Sequence, residues 1–273
     1  MYQSHWHFVE KPFENCCDPR FYYPGESHQA ALLKLRYAVE NRRGGAVLAG
    51  PSGSGKTLLA GMLRSAIGTR FSPIVHLVFP QMPPDQLLAY LAGELTGQPP
   101  ACSAAATCES VRRIERFLVE NSERGQHAVV IVDEAHLLDD AESWEALRLL
   151  MNFESAGRPG LTLVLVGQTG VLPILDRIPH LEERLGVRCL LRPFSEAETG
   201  EYVLHRIHAA GAEPKVFETE ALAEVHRLTH GIPRRINRLC DLALLIGYAE
   251  GRSAISAAEL ESIHEELVAV VPE

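Results

Sequence analysis

The stretch Ala46-Val47-Leu48-Ala49-Gly50-Pro51-Ser52-Gly53-Ser54-Gly55-Lys56-Thr57-Leu58-Leu59-Ala60-Gly61-Met62-Leu63 decides how this 273-residue chain is read. A short apolar run enters a Gly-rich loop ending in Lys-Thr, and helix-forming residues follow. Strand, G-x-x-x-x-G-K-T loop and helix in that order make a phosphate-binding loop (P-loop). The residue types follow from the chemistry. A polyanion must lie against backbone N–H groups and a helix N-terminus, and glycines let the backbone come that close. Lys56 then reaches the β- and γ-phosphates, and Thr57 offers its hydroxyl to Mg²⁺. The stretch predicts a bound nucleoside triphosphate.

A second anchor lies downstream. Ala128-Val129-Val130-Ile131-Val132 reads as a buried strand, and Asp133-Glu134 follows it directly. In a parallel sheet ligands gather at the carboxyl ends of strands. Asp133 there can hold Mg²⁺ through water, and the adjacent Glu134 can polarise an attacking water, which favours hydrolysis over simple binding.

Further strands read at Pro73–Phe79, Leu161–Val166 and Val187–Leu191, giving five with the first at Ala46. Helical spacing appears at Glu26–Asn41, Asp85–Leu95, Val111–Val119 and Trp144–Met151, with a loop over Gly97–Thr107. Strands alternating with helices predict an α/β fold with a five-stranded parallel sheet covered on both faces, a three-layer α/β/α core. After Pro193-Phe194-Ser195 the strand signals stop. Four helical stretches follow, at about 196–209, 218–228, 233–249 and 256–269. The expected domains are an N-terminal arm over 1–25, an α/β nucleotide-binding core over 26–193 and an all-helical lid over 194–273. The arm is rich in aromatic residues and reads as ordered and packed on something.

Composition sets bounds. Hydrophobic residues make up 46% and charged residues 22%, ordinary for a soluble globular chain. The formal charge of −9 argues against a dedicated nucleic-acid binder, whose phosphate contacts need a positive footprint. No apolar run has the length of a membrane span, and the first residues carry no secretory pattern. The six cysteines, Cys16, Cys17, Cys102, Cys108, Cys189 and Cys240, form no C-x-x-C pair. They read as free thiols of a reducing compartment, Cys189 and Cys240 as small core residues, and no metal-cysteine site is expected.

Other positions complete the candidate site. Gln168, just past the strand at Leu161–Val166, can bridge an attacking water and the γ-phosphate. Arg184 precedes the last strand and is placed to act as an arginine finger toward a neighbouring subunit, with Arg188 as the alternative. Gly231-Ile232-Pro233-Arg234 opens a helix, and Arg234 can touch the γ-phosphate from the lid. Arg235 and Arg238 read as surface charges.

Together these positions resemble the AAA+ ATPases, and more closely the ExeA/GspA-type subfamily of general-secretion ATPases, which also takes in MSHA-pilus-type and TniB-like transposition ATPases. The subfamily signature lies in Lys11-Pro12-Phe13, Asp18-Pro19, Phe21-Tyr22-Tyr23 and His28-Gln29-Ala30, and again in Gly231-Ile232-Pro233-Arg234, Ile236-Asn237 and Leu239-Cys240-Asp241. The resemblance implies an ATPase using ATP and Mg²⁺. Gly50, Pro51, Ser52, Gly53, Ser54, Gly55, Lys56, Thr57 and Leu58 would bind the nucleotide, with Thr57 and Asp133 on Mg²⁺. Asp133 and Glu134 would form the Walker B pair, Gln168 sensor 1, Arg184 the finger and Arg234 sensor 2. The arm and the helix around His28 would wall the adenine. It further implies a ring-forming homo-oligomer with a secretion or envelope-assembly partner.

Departures from the family pattern are Pro51-Ser52 after the first loop glycine, where an acid is frequent, and Cys16-Cys17. Secretion members continue into a membrane span and a wall-binding domain, whereas this sequence stops at Glu273. The expectation is therefore a cytoplasmic chain without its own span, recruited to the inner membrane by a partner.

Rival readings are weaker. Asp133-Glu134-Ala135-His136 spells the DEAH of helicases, but those need two motor domains. No Asn-Lys-x-Asp motif marks a GTPase. A TniB-like regulator of DNA transposition ranks second, on the positive charge of Arg206, Lys215, Arg227, Arg234, Arg235 and Arg238. A nucleotide-dependent scaffold with little turnover is the third reading. The Gly97–Thr107 loop and the arm are candidate partner surfaces.

Overall fold

The computed structural model describes residues 1–15, 18–99, 106–155 and 157–269. Cys16, Cys17 and Cys102, and positions 100–105 of the expected partner loop, lie outside the described residues. The chain divides into two compact units. One comprises Met1–Glu26, Pro51–Gly55 and Arg192–Glu273, the other Ser27–Gly50 and Lys56–Leu191.

In the larger unit the elements run α1 (Glu26–Glu40), β1 (Gly45–Ala49), α2 (Lys56–Ala66), β2 (Ile74–Leu77), α3 (Pro84–Thr96), α4 (Ala106–Glu123), β3 (Ala128–Val132) and α5 (Ala141–Leu150). Then come β4 (Glu154–Ser155), β5 (Arg158–Pro159), β6 (Leu161–Gly167), α6 (Val171–Leu175), α7 (Pro179–Glu182) and β7 (Leu185–Leu190). Five strands form one parallel sheet in the order β2-β3-β6-β1-β7. Burial follows position. Every residue of β1, β3 and β6 is buried, as central strands covered on both faces require, whereas the edge strand β7 alternates. One face packs Val47, Val130, Val132, Leu163 and Leu165 against Leu87, Leu91, Ile114, Leu118 and Leu147 of α3, α4 and α5. Each such side chain, removed from water, contributes roughly 2 kcal/mol before entropy is counted.

The expected five-stranded core is present. Helix α4 is longer than its apolar spacing suggested and starts at Ala106, which shortens the expected loop. The two-residue strands β4 and β5 form an antiparallel pair too short for any period to announce. Cys189 and Cys240 are buried and unpaired, and burial pushes the Cys189 thiol up to about 11.

The other unit holds α8 (Glu196–Ala209), α9 (Thr219–Thr229), α10 (Pro233–Ala249) and α11 (Ala257–Ala269). Ser195 caps α8 in a capping box with Glu198, and Pro233 stands at the first position of α10. The buried face of α8 is Thr199, Tyr202, Val203, Arg206 and Ile207, the i, i+3, i+4, i+7, i+8 stripe of an amphipathic helix. The arm completes this core. Tyr2, Trp6, Phe8, Phe13 and Phe21 are buried among Tyr202, Val203, Leu239 and Leu244. Trp6 Nε1 donates to Leu244 O at 2.9 Å, Tyr2 Oη donates to Asp241, and Gly247 leaves the space that the Trp6 ring occupies. Arg206 sits on the apolar stripe because its guanidinium donates to the carbonyls of Pro12 and Glu14.

Candidate active site

The sheet unit gathers several of the expected side chains at the carboxyl ends of β1, β3 and β6. Pairing sets Ala49 opposite Gly167 and Val132 opposite Leu165, so the three strands finish together. Lys56 opens α2, is 6% exposed, and its Nζ donates to Gly50 O at 3.1 Å. Thr57 Oγ1 donates to Asp133 Oδ2 at 2.8 Å, and Leu58 follows half-buried.

Asp133 is 1% exposed. Burial alone would raise its pKa. His76, whose Nε2 stands 3.5 Å from Oδ2, the Thr57 hydroxyl and the Glu134 N–H outweigh it, holding the carboxyl below the usual carboxylate range. A buried ionised carboxylate beside a hydroxyl is the hard-oxygen donor set that Mg²⁺ takes, so these residues fit the metal.

Glu134 adopts a left-handed backbone, φ 50° and ψ 36°, at a cost of roughly 1–2 kcal/mol for a non-glycine residue. The turn is held by its N–H on Asp133 Oδ1 and by its carbonyl, which accepts from Leu137 N at 2.8 Å. Beyond it, Ala135–Leu137 makes one 3-10 turn that carries His136. His136 Nδ1 accepts the Gln168 N–H at 3.3 Å and stands 3.4 Å from Glu134 Oε2. His136 thus stands between the residues expected to act as base and water bridge, hydrogen-bonded to the Gln168 backbone and close to the Glu134 carboxylate without a hydrogen bond to it.

Arg184 and Arg188 differ in engagement. Arg184 is exposed and donates to Met151 O at 3.3 Å, whereas Arg188 pairs with Asp176 and Glu182. The exposed Arg184, without an acidic partner in the described ion pairs, is the better placed of the two for reaching outward.

The helical unit contains the rest of the loop. Gly53 has φ +77° and Gly55 φ +87°, the left-handed turns that produce an anion-binding nest. Gly53 O accepts the Arg234 N–H at 3.1 Å, and a Cβ on Gly53 would lie 2.7 Å from the Arg234 Cβ. Pro51 to Gly55 therefore group with the first turn of α10, where the Arg234 side chain is exposed.

With this geometry in view, comparison with known proteins is specific. The family model described as "AAA domain" matches residues 39–175, half of the chain. The chain belongs to the AAA domain family. Its sequence is 33% identical over 276 residues to General secretion pathway protein A of Aeromonas hydrophila, covering 97% of this chain and 50% of that protein. The chain thus spans about half the length of the curated relative it matches. Among solved structures, Cdc6p of Pyrobaculum aerophilum superposes with a TM-score of 0.74 at 17% identity, covering 97% of this AAA chain and 75% of that one. The ORC2 protein of Aeropyrum pernix, solved as ADPNP-ADP complexes, gives 0.71 at 18%, covering 95% and 72%. The RuvB branch-migration motor of Thermotoga maritima gives 0.60 at 22%, covering 89% and 69%. At these identities the structural likeness is one of fold.

Two histidines beside the candidate site, His76 and His136, carry no local signal of that position in the sequence. His76 could be found only once β2 was known to lie beside β3. His136 lies within Asp133-Glu134-Ala135-His136, a pattern that by itself points to a helicase motif and not to a contact with the end of β6. The positive charge attributed to the helical part is also smaller than its residue count suggests. Arg206 is 3% exposed, and Arg227 pairs with Glu224 and Glu261.

Proposed function

We infer that this chain is an ATP-hydrolysing AAA protein whose turnover serves assembly or remodelling of an envelope secretion system. The observation that carries hydrolysis is the Thr57–Asp133 hydrogen bond with Glu134 immediately beyond it. Thr57 and Asp133 would hold Mg²⁺, which supplies charge neutralisation between the β- and γ-phosphates. Gly50 to Leu58 cradle the phosphates, and Lys56 brings a cation to them. Glu134 takes a proton from water, and Gln168 orients that water. Arg234 acts from the start of α10, and Arg184 from a neighbouring subunit of a homo-oligomeric ring. The secretion role is supported by the 33% identity to General secretion pathway protein A. No helix among the described residues is long and apolar enough to cross a membrane.

Two experiments test the reading. Steady-state hydrolysis is compared for wild type, Lys56→Ala and Glu134→Gln. Lys56→Ala should lose nucleotide binding, and Glu134→Gln should bind but turn over at least about a hundredfold more slowly. Equal rates in Glu134→Gln and wild type remove the base assignment. For the role, a strain lacking the chain should release less secreted protein, restored by wild type and not by Lys56→Ala. Normal release, together with ATP-dependent DNA binding at low salt, would favour the transposition reading instead.

A further inference from the structure

The His136 ring stands between two residues of the hydrolytic proposal. Its Nδ1 is 3.3 Å from the Gln168 backbone nitrogen and 3.4 Å from Glu134 Oε2. A backbone N–H only donates, so the Gln168 contact needs a lone pair on Nδ1 and puts the neutral ring's proton on Nε2. A lone pair facing a carboxylate oxygen makes no hydrogen bond. Oε2 is accordingly a buried atom with no hydrogen-bond partner among the described residues, although the Glu134 side chain as a whole is 42% exposed. The fit is close from the strand side as well. A Cβ on Gly167 would lie 3.2 Å from the His136 backbone nitrogen and 3.4 Å from Nδ1, so a side chain at the end of β6 would press on His136 by a few tenths of an ångström.

We propose, resting on the hydrolytic reading above, that His136 is a positioning residue for Glu134: by accepting the Gln168 N–H it withholds a proton from the carboxylate and leaves Oε2 open to take one from water. Gln168 and Glu134 compete for one nitrogen. When the end of β6 withdraws the Gln168 N–H, Nδ1 can carry the ring proton and donate it to Oε2 as a hydrogen bond, occupying the lone pair that a general base needs. No net proton is gained, since one leaves Nε2 for solvent as another arrives at Nδ1. The position of the β6 end thereby sets whether Glu134 acts as a base.

Two measurements test this. Ring ¹⁵N shifts of selectively labelled histidine, with the His136 signal identified by its loss in His136→Asn, report the tautomer in nucleotide-free protein. An unprotonated Nδ1 is expected, and Nδ1–H as the major neutral form overturns the proposal whatever the hydrolysis rate. In steady-state hydrolysis, His136→Leu should lower kcat by about tenfold or more, with KM and binding of a fluorescent ATP analogue within about twofold. His136→Asn, which returns a polar acceptor to the place of Nδ1, should recover most of that loss. Wild-type kcat in His136→Leu, or an Asn variant as slow as the Leu one, overturns the proposal. A wild type that binds nucleotide without turnover instead defeats the hydrolytic reading, while the tautomer measurement still decides the ring's state.

Discussion

Thr57 Oγ1 donates to Asp133 Oδ2 at 2.8 Å, tying the first turn of α2 to the end of β3 across 76 positions of sequence. The hydroxyl and the carboxylate meet at one spot, where Thr57 would hold a divalent cation by its hydroxyl oxygen and Asp133 would hold it through water. Thr57→Val keeps the shape and removes the oxygen. It should raise the Mg²⁺ concentration needed for half-maximal hydrolysis by about tenfold or more, as loss of one good ligand implies. An unchanged Mg²⁺ dependence would take Thr57 off the metal.

Arg184 is exposed and Arg188 is held by Asp176 and Glu182, so the two arginines should separate kinetically. Arg184→Ala is expected to bind ATP normally and lose turnover, by up to roughly 10³-fold or more if it is a finger in trans. Mixing Arg184→Ala with Glu134→Gln should restore part of the rate, because a mixed ring contains sites with both groups intact. A mixture as inactive as its components means the arginine does not act across subunits.

His127 is 1% exposed, hydrogen-bonded to Thr162 Oγ1 at 2.8 Å, and its pKa is pushed down to about 4 by burial and then by Arg42. The unfolded chain takes up this proton near pH 6.5 and the folded chain does not. Stability from the neutral ring is therefore complete above about pH 6.5 and is lost as the pH falls toward 4, by up to about 3 kcal/mol. Urea unfolding between pH 7 and 4 should show a shallower acid loss in His127→Gln than in wild type. Parallel slopes would show that His127 does not drive it.

Gly231 and Gly251 both have φ +68°, but a Cβ on Gly231 would lie 2.0 Å from the Phe194 carbonyl oxygen while Gly251 faces open space. Gly231→Ala should cost well over about 2 kcal/mol and Gly251→Ala about 1 kcal/mol. Urea midpoints followed by the fluorescence of Trp6, which lies in the helical unit, check the difference. Equal losses would mean that the Phe194 approach is soft.

Much of this was legible because particular residues repeat one message. The runs at Ala46–Ala49, Ala128–Val132 and Leu161–Val166 are apolar throughout, as buried parallel strands must be, and the acids and the loop stand where such strands end. Ser195 with Glu198 announces the start of α8 in the same local way. What stayed hidden depends on tertiary neighbours. Arg206 reads as a surface cation until Pro12 and Glu14 present their carbonyls. His76 gains meaning from the β2–β3 pairing, and the apolar spacing opens α4 at Val111, too late, because Thr107 to Ser110 carry no apolar period. The aromatic arm was expected to pack on something, but nothing local in Tyr2 or Trp6 names α10.

That arm sets an order of assembly. Trp6 and Tyr2 meet Leu244 and Asp241 across 238 and 239 positions, so these aromatic residues find their places only after α10 exists. The contacts of the sheet are all made by Leu191, before any of α8 to α11 is synthesised. On a ribosome the sheet unit can fold while the aromatic arm still waits, and the helical unit folds after it. Closing so long a loop slows that step and leaves five large aromatic residues in search of a core until α10 has been made.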